Sequence, residues 1–464
     1  MSEPVPSTSA RDASVGSAIR LAAEIVVRVS SIVATLWLTR SLGVTSFGGF
    51  LLSLSVGLMI AELCDLGLNA IVVPLIVRSP RNLRTLFLMK AAMTAGVTAF
   101  GAALVPLASW ISGVEASVLA LSTIHFLGAS WIEMTGTALR ALGRRIDEAL
   151  LLFVFRLTLV GLVIGAPFGM TVEGASRAYA LAVFPAIVFG GVRLRAARSP
   201  SGDESPAAPV RSILRQAVPM GVNGYLAIFS TRVELFLLQA FQGEAMVGLF
   251  GGALRIVESL LTLPSAIAAG ALPSVSRDVV RGTRGAAQRM FGLVVWIGVP
   301  AASGLALCAP AVLLVLGPGF VDGAPALRIL SAALLLCFAN AALFHLLIAA
   351  GETELIPRLT GLRVGVALAA GLVLIPPLGP VGAALSFTTA EFVLFATLVR
   401  KTRSHAEVQV LRPLASAALA CLPMVALLTL TRLSLPISIV AGALLFVASG
   451  AAILRRGTET GGLA

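Results

Sequence analysis

Residues 48–76 read GGFLLSLSVGLMIAELCDLGLNAIVVPLI, an apolar run broken only by the charges of Glu62 and Asp65. A helix needs about 20 predominantly apolar residues to cross a bilayer, and this run exceeds that. Its apolar residues do not alternate with polar ones, as the strands of a membrane barrel do, so a barrel is excluded. A helix remains, because it pairs every backbone N–H and C=O within itself and needs no water to do so. Similar runs recur at 17–39, 85–108, 115–138, 148–168, 174–192, 214–241, 246–271, 289–309, 325–350, 358–376, 380–399, 413–431 and 436–454. The expected fold is all-α: a polytopic membrane protein of about fourteen transmembrane helices, in two six-helix lobes around a central cavity plus two C-terminal helices.

Composition agrees. Of 464 residues, 58% are hydrophobic and 12% charged, where a soluble domain carries about 25% charged residues. The polar stretch Met1–Ser17 has no charged leader ahead of a short apolar core, so the first helix is expected to insert and stay. Cys64, Cys308, Cys337 and Cys421 all fall inside apolar runs with no metal-ligand spacing, and read as small buried apolar residues. No nucleotide-binding glycine loop, nucleophile triad or metal set is present in the sequence. No catalytic residue, metal or resident cofactor is expected.

The net charge of +12 raises the question of a nucleic-acid partner. The placement of the basic residues answers it. With the N-terminus inside, the cytoplasmic segments hold 24 of the 34 Lys and Arg, and the outer ones only Arg40, Arg177, Arg328 and Arg432. That asymmetry is the positive-inside pattern. It supports an even number of helices with both termini cytoplasmic, and leaves no nucleic-acid patch. The organisation read from it is a cytoplasmic tail (1–16), an N-lobe of six helices (17–192), a cytoplasmic linker rich in Ser, Pro and Gly (193–213), a C-lobe of six helices (214–399), a cytoplasmic loop (400–412), two further helices (413–454) and a tail (455–464). One internal likeness hints at duplication. Phe47-Gly48-Gly49 and Phe250-Gly251-Gly252 each open the helix after a short turn.

The remaining charges lie inside spans, where each costs about 2.5–3.5 kcal/mol near the bilayer centre on insertion scales. Glu24 and Arg28 share a face of helix one. Glu62 and Asp65 lie on helix two, Arg156 on five, Arg232 and Glu234 on seven, Arg255 and Glu258 on eight, and Glu391 on twelve. Two readings stand. The charges are local structural pairs, as Glu24 with Arg28 or Arg255 with Glu258 can be on one helix. Alternatively, the set lines a polar cavity between the lobes, which its concentration on helices one, two, seven and eight favours. Lys90 and Arg363 lie within two turns of the cytoplasmic boundary and are expected to snorkel to it. His125 is expected to be a buried, hydrogen-bonded imidazole.

Three stretches carry a family resemblance: Leu38-Thr39-Arg40-Ser41-Leu42-Gly43 with Phe47-Gly48-Gly49-Phe50; Cys64-Asp65-Leu66-Gly67-Leu68; and the block from Glu234 through Val247-Gly248-Leu249-Phe250, Ala253-Leu254-Arg255-Ile256, Leu263-Pro264 and Leu272-Pro273. In these the chain resembles bacterial polysaccharide or O-antigen flippases (the Wzx type) of the multidrug/oligosaccharidyl-lipid/polysaccharide (MOP) exporter superfamily. Family members commonly have Asp at the position of Glu234 and often Tyr at that of Phe250. The resemblance implies a two-lobed bundle in the inner membrane that flips a polyprenyl-pyrophosphate-linked oligosaccharide by alternating access, with polysaccharide polymerase and other assembly proteins as partners. Arg28, Arg156, Arg232 and Arg255 are the candidates for the pyrophosphate, since a guanidinium stays charged and offers a planar fork of donors. The cavity acids Glu24, Glu62, Asp65, Glu234, Glu258 and Glu391 are candidates for shaping the path or for coupling to H⁺ or Na⁺. The rival readings are a drug/cation antiporter or lipid II flippase of the same superfamily, and a multispanning glycan ligase or polymerase, which the short outer loops disfavour.

Overall fold

A computed structural model describes the backbone of residues 10–197, 208–281, 283, 285–403, 408–431 and 434–459, with side chains from 30 to 451 apart from some positions between 102 and 112. Among the described residues the secondary structure is helical, with no strand. Ten helical segments are long and apolar enough to cross a membrane, and shorter apolar helices accompany them. Of the ten, one 49 residues long holds the second expected span and part of the first, and one 38 residues long holds the eighth, 246–271. Every one of the fourteen expected spans falls on a helix. Large apolar side chains face outward, among them Leu422, Val440, Leu444 and Val447 of the last two helices. An apolar exterior suits hydrocarbon and not water.

The chain divides into two compact units, Met1–Ile228 and Phe229–Ala464. Unit 1 holds α1 (Ala10–Asp65), α2 (Leu68–Arg78), α3 (Asn82–Ser112), α4 (Ala116–Ala141), α5 (Arg145–Gly165), α6 (Val172–Ala197) and most of α7 (Val210–Ser230). Helix α1 contains the first span and most of the second, joined at Gly43 with φ 71° and ψ 177°. That region is open to glycine and closed to side-chain-bearing residues. A second break, at Leu66 and Gly67 with φ 43° and 79°, separates α1 from α2. There α7 comes in at backbone contact: a Cβ on Gly67 would overlap the Ala217 carbonyl oxygen, and one on Gly221 the Leu66 carbonyl carbon. The unit boundary accordingly falls inside the seventh span, beyond the expected 193–213 linker, part of which lies outside the described residues.

Unit 2 holds α8 (Val233–Gln242), α9 (Glu244–Leu260), α10 (Thr262–Arg281), α11 (Gly285–Leu307), α12 (Ala309–Leu316), a 3₁₀ turn (Pro318–Gly323), α13 (Ala324–Ala349), α14 (Leu355–Leu378), α15 (Pro380–Thr402), α16 (Leu411–Leu430) and α17 (Leu435–Glu459). Helix α12 and the 3₁₀ turn fill a segment expected to be an outer loop. Gly243, before α9, has φ 82° and ψ 178°, the conformation of Gly43. The two glycines set the register of the internal likeness. Gly43, Gly48 and Phe50 correspond to Gly243, Gly248 and Phe250, a shift of three residues from the pairing of the two Phe-Gly-Gly triplets. Both Phe50 and Phe250 are fully buried. In unit 2, as in unit 1, the second span is broken: α9 ends at Leu260 and α10 begins at Thr262.

Candidate functional site

In unit 2 the chain turns at Arg232 between α7 and α8, and that turn aims its guanidinium at α9. Arg232 Nη1 donates to Glu258 Oε1 at 3.0 Å, and Arg255 Nη1 donates to Glu258 Oε2 at 3.3 Å. One carboxylate therefore serves two guanidiniums, and the trio carries a net positive charge. Arg232 is buried and its Nε has no partner among the described residues, while Arg255 and Glu258 are half-buried. Arg255 and Glu258 are one helical turn apart, so the sequence placed that pair. The third member, Arg232, arrives through the fold.

A second cluster lies deeper in unit 2. Arg363 of α14 donates from Nε to Glu391 Oε1 of α15 at 2.5 Å and from Nη1 to the Ser230 carbonyl. Asn340 of α13 donates to Glu391 Oε2 at 2.8 Å, and the Arg363 guanidinium lies 4.9 Å from the Phe387 ring centroid. Glu234 is completely buried and feels the charges of Arg363, Glu391 and Arg232. Neither of its oxygens, nor Asn340 Oδ1, meets a hydrogen-bond donor among the described residues. A buried carboxylate without donors is costly unless a cation or a proton joins it.

Unit 1 has its own buried pair. Lys90 of α3 is fully buried, pairs with Asp65 at the end of α1 and donates to Ser130 Oγ of α4 at 2.6 Å. The other Asp65 oxygen accepts the Asn69 backbone N–H at 3.2 Å. Glu62, one turn before Asp65, is half-buried with its carboxylate against Gly224 of α7. Arg156 of α5 is half-buried, with its guanidinium 5.2 Å from the Phe155 ring centroid and no partner for Nε among the described residues. His125 is buried, with Nδ1 2.8 Å from the Tyr179 carbonyl oxygen and the rings of Phe126, Phe155 and Tyr179 around it.

The side chains of Glu24 and Arg28 lie outside the described residues. The fold brings Arg232, Arg255 and Glu258 together and sets Glu234 beside the Arg363–Glu391 pair, all within unit 2, while Arg156 belongs to unit 1. Two expectations are corrected. Lys90 and Arg363 do not snorkel: both are buried and each neutralises an acid on a neighbouring helix. The readable signal was the acid. Asp65 and Glu391 have no base one turn away on their own helices, so a partner elsewhere was required. Among the described residues no group of three metal-ligating side chains occurs.

Two units of helices, each containing a glycine turn and a broken second span, with ionisable side chains buried inside, define a polytopic helical membrane fold. The chain belongs to the polysaccharide biosynthesis protein family, which matches residues 15–277. Among solved structures it is similar to the lipid II flippase MurJ in an inward closed conformation, with a TM-score of 0.78 at 11% identity over 94% of this chain and 99% of that one. It is also similar to an inward-facing multidrug resistance MATE family transporter of the MOP superfamily, with a TM-score of 0.63 at 16% identity over 83% and 97% of the two chains. A third is a MOP superfamily transporter from Pyrococcus furiosus, with a TM-score of 0.54 at 18% identity over 84% and 94%. At such identities the likeness is one of fold. Among curated proteins none matches this chain.

Proposed function

We propose that this chain is a flippase, a transporter and not an enzyme. Its cargo is a polyprenyl-pyrophosphate-linked oligosaccharide, moved by alternating access from the cytoplasmic to the outer leaflet of the bacterial inner membrane. The product serves cell-surface polysaccharide assembly, as O-antigen lipopolysaccharide or exopolysaccharide, with a polymerase and other assembly proteins downstream. Membership of the polysaccharide biosynthesis family and the MurJ-like fold support the reading. The observation that carries it is the sharing of Glu258 by Arg232 and Arg255. A lone carboxylate leaves that pair with donors and charge to spare. A pyrophosphate can take up both by bidentate contact, while Glu258 holds the arginines when the site is empty.

A charge-assisted hydrogen bond contributes about 1.5–3 kcal/mol, which is about ten- to a hundredfold in binding. Arg232→Ala and Arg255→Ala are expected to lower flipping of a labelled lipid-linked oligosaccharide in proteoliposomes by that order. Turnover unchanged in both variants would sink the assignment. The lipid II flippase reading shares the pyrophosphate chemistry and differs in the sugar. Complementation of strains lacking either activity separates the two. For the driving force we propose H⁺ or Na⁺ at Glu234, supported by its two oxygens without donors. Imposed pH or Na⁺ gradients acting on wild type and Glu234→Gln choose between the ions, and a variant as gradient-responsive as wild type removes Glu234 from the role.

A further inference from the structure

Unit 2 holds a cavity of about 1140 Å³ between the start of α11, α13, the end of α15 and the start of α16. Small-molecule sites run to about 300–1,000 Å³, so the space admits something larger than a sugar. Its main wall is one face of α15. Phe392, Ala396 and Val399 follow at helical spacing, and Arg400 and Arg403 continue the same face. The wall is therefore apolar for about 12 Å, at 1.5 Å per residue, before turning basic in the last turn. Leu343 of α13 adds apolar surface, and Arg412 in the first turn of α16 adds a third guanidinium. No acidic residue lines the cavity among the described residues. The side opposite α15 is fixed by a reciprocal pair: Gln409 N–H donates to Gln288 Oε1 at 2.8 Å, and Gln288 Nε2 to the Gln409 carbonyl at 3.1 Å.

An apolar wall ending in three arginines, at the side that the arginine distribution assigns to the cytoplasm, matches one molecule end to end: acyl chain below, phosphate above. Basic pockets between helices on that side recognise anionic lipid head groups. We propose that this cavity seats an anionic phospholipid of the cytoplasmic leaflet, its phosphate held by Arg400, Arg403 and Arg412 and its acyl chain along Phe392, Ala396 and Val399. The seated lipid ties the end of α15 to α16 and so fastens the last two helices to the rest of unit 2. This site contains none of the residues assigned to the transported cargo, and stands whether or not the flippase reading does.

The test uses the full chain, purified in neutral detergent and offered phosphatidylglycerol, phosphatidylcholine or inorganic phosphate. Lipid retention is read by native mass spectrometry, together with the thermal unfolding midpoint. Phosphatidylglycerol is expected to be retained and to raise the midpoint, with phosphatidylcholine and phosphate doing neither. Near an anionic head group each arginine is worth about 1 kcal/mol, so R400Q/R403Q/R412Q is expected to weaken retention by about a hundredfold. Ala396→Trp fills the apolar wall with all three guanidiniums in place and is expected to abolish retention also. Equal retention of the two lipids, or displacement by phosphate alone, overturns the proposal. So does retention unchanged in Ala396→Trp and in Arg403→Gln, the variants that decide if the triple variant fails to fold.

Discussion

Two buried bases show what burial does to an ion pair in a membrane protein. Lys90 and Asp65 are both more than nine-tenths buried, as are Arg363 and Glu391. Removing one partner leaves the other charged without compensation, which costs about 3–5 kcal/mol, whereas replacing both by apolar groups is often neutral. Lys90→Met is therefore expected to destabilise unit 1 by that amount, and Asp65→Leu/Lys90→Met to recover most of it. Thermal unfolding of the detergent-purified protein checks both. A double variant as unstable as the single would mean that Lys90 contributes by packing and not by charge. Arg363 makes a different demand, since it reaches Glu391 and the Ser230 carbonyl with separate nitrogens. Lysine keeps the charge but lacks the fork. Arg363→Lys is expected to lose about 1.5–3 kcal/mol, the worth of one hydrogen bond to a charged group, in the same melting assay. Neither pair was legible in the sequence. Lys90 and Arg363 each lie six residues into an expected span, where a long side chain ordinarily reaches the interface. Sequence position does not tell whether a neighbouring helix places an acid within closer reach.

At the scale of elements, the spans were legible and their breaks were not. A run such as 48–76 declares a helix by length and apolarity alone. The break at Leu66–Gly67 inside it depends on the approach of α7 through Gly221, which is distant in sequence. The duplicated turn was half legible. The phenylalanines and glycines signalled it, but their register was settled by backbone angles that only the three-dimensional structure shows. Gly43 and Gly243 share φ near 71–82° and ψ near 177–178°, with open space where a side chain would point. Any cost of substitution there is consequently conformational and not steric. Strain in that region runs to about 1–3 kcal/mol. Gly43→Ala and Gly243→Ala are each expected to lower stability by such an amount. Gly161→Ala, inside α5 four residues before its end and with equally open surroundings, is expected to raise it slightly, because alanine is the better helix former. Equal melting shifts at the three positions would show that the turns are not held in the conformation described.

At the scale of the whole molecule, the basic residues and the helices give independent accounts of the path through the membrane. The arginine distribution asks for seven crossings between the loop before α4 and the connection from α13 to α14. The structure adds α12 and a 3₁₀ turn within that stretch. An eight-residue helix at 1.5 Å per residue spans about 12 Å, well short of the about 30 Å hydrocarbon core. It therefore cannot cross, and the parity set by the arginines survives it. The connection after α13 is the most exacting place to look, because only Arg358 supports its assignment to the cytoplasm. In a background with Cys64, Cys308, Cys337 and Cys421 replaced, single cysteines at the exposed positions Ser117 and Thr353 are expected to react from opposite sides. A membrane-impermeant maleimide should label Ser117→Cys in intact cells with a permeable outer barrier, and Thr353→Cys only once the inner membrane is opened. Labelling of both from outside would mean that the segment 309–323 contributes a crossing despite its length. It would also reverse the side on which Arg400, Arg403 and Arg412 lie, and with it the leaflet from which a lipid reaches them.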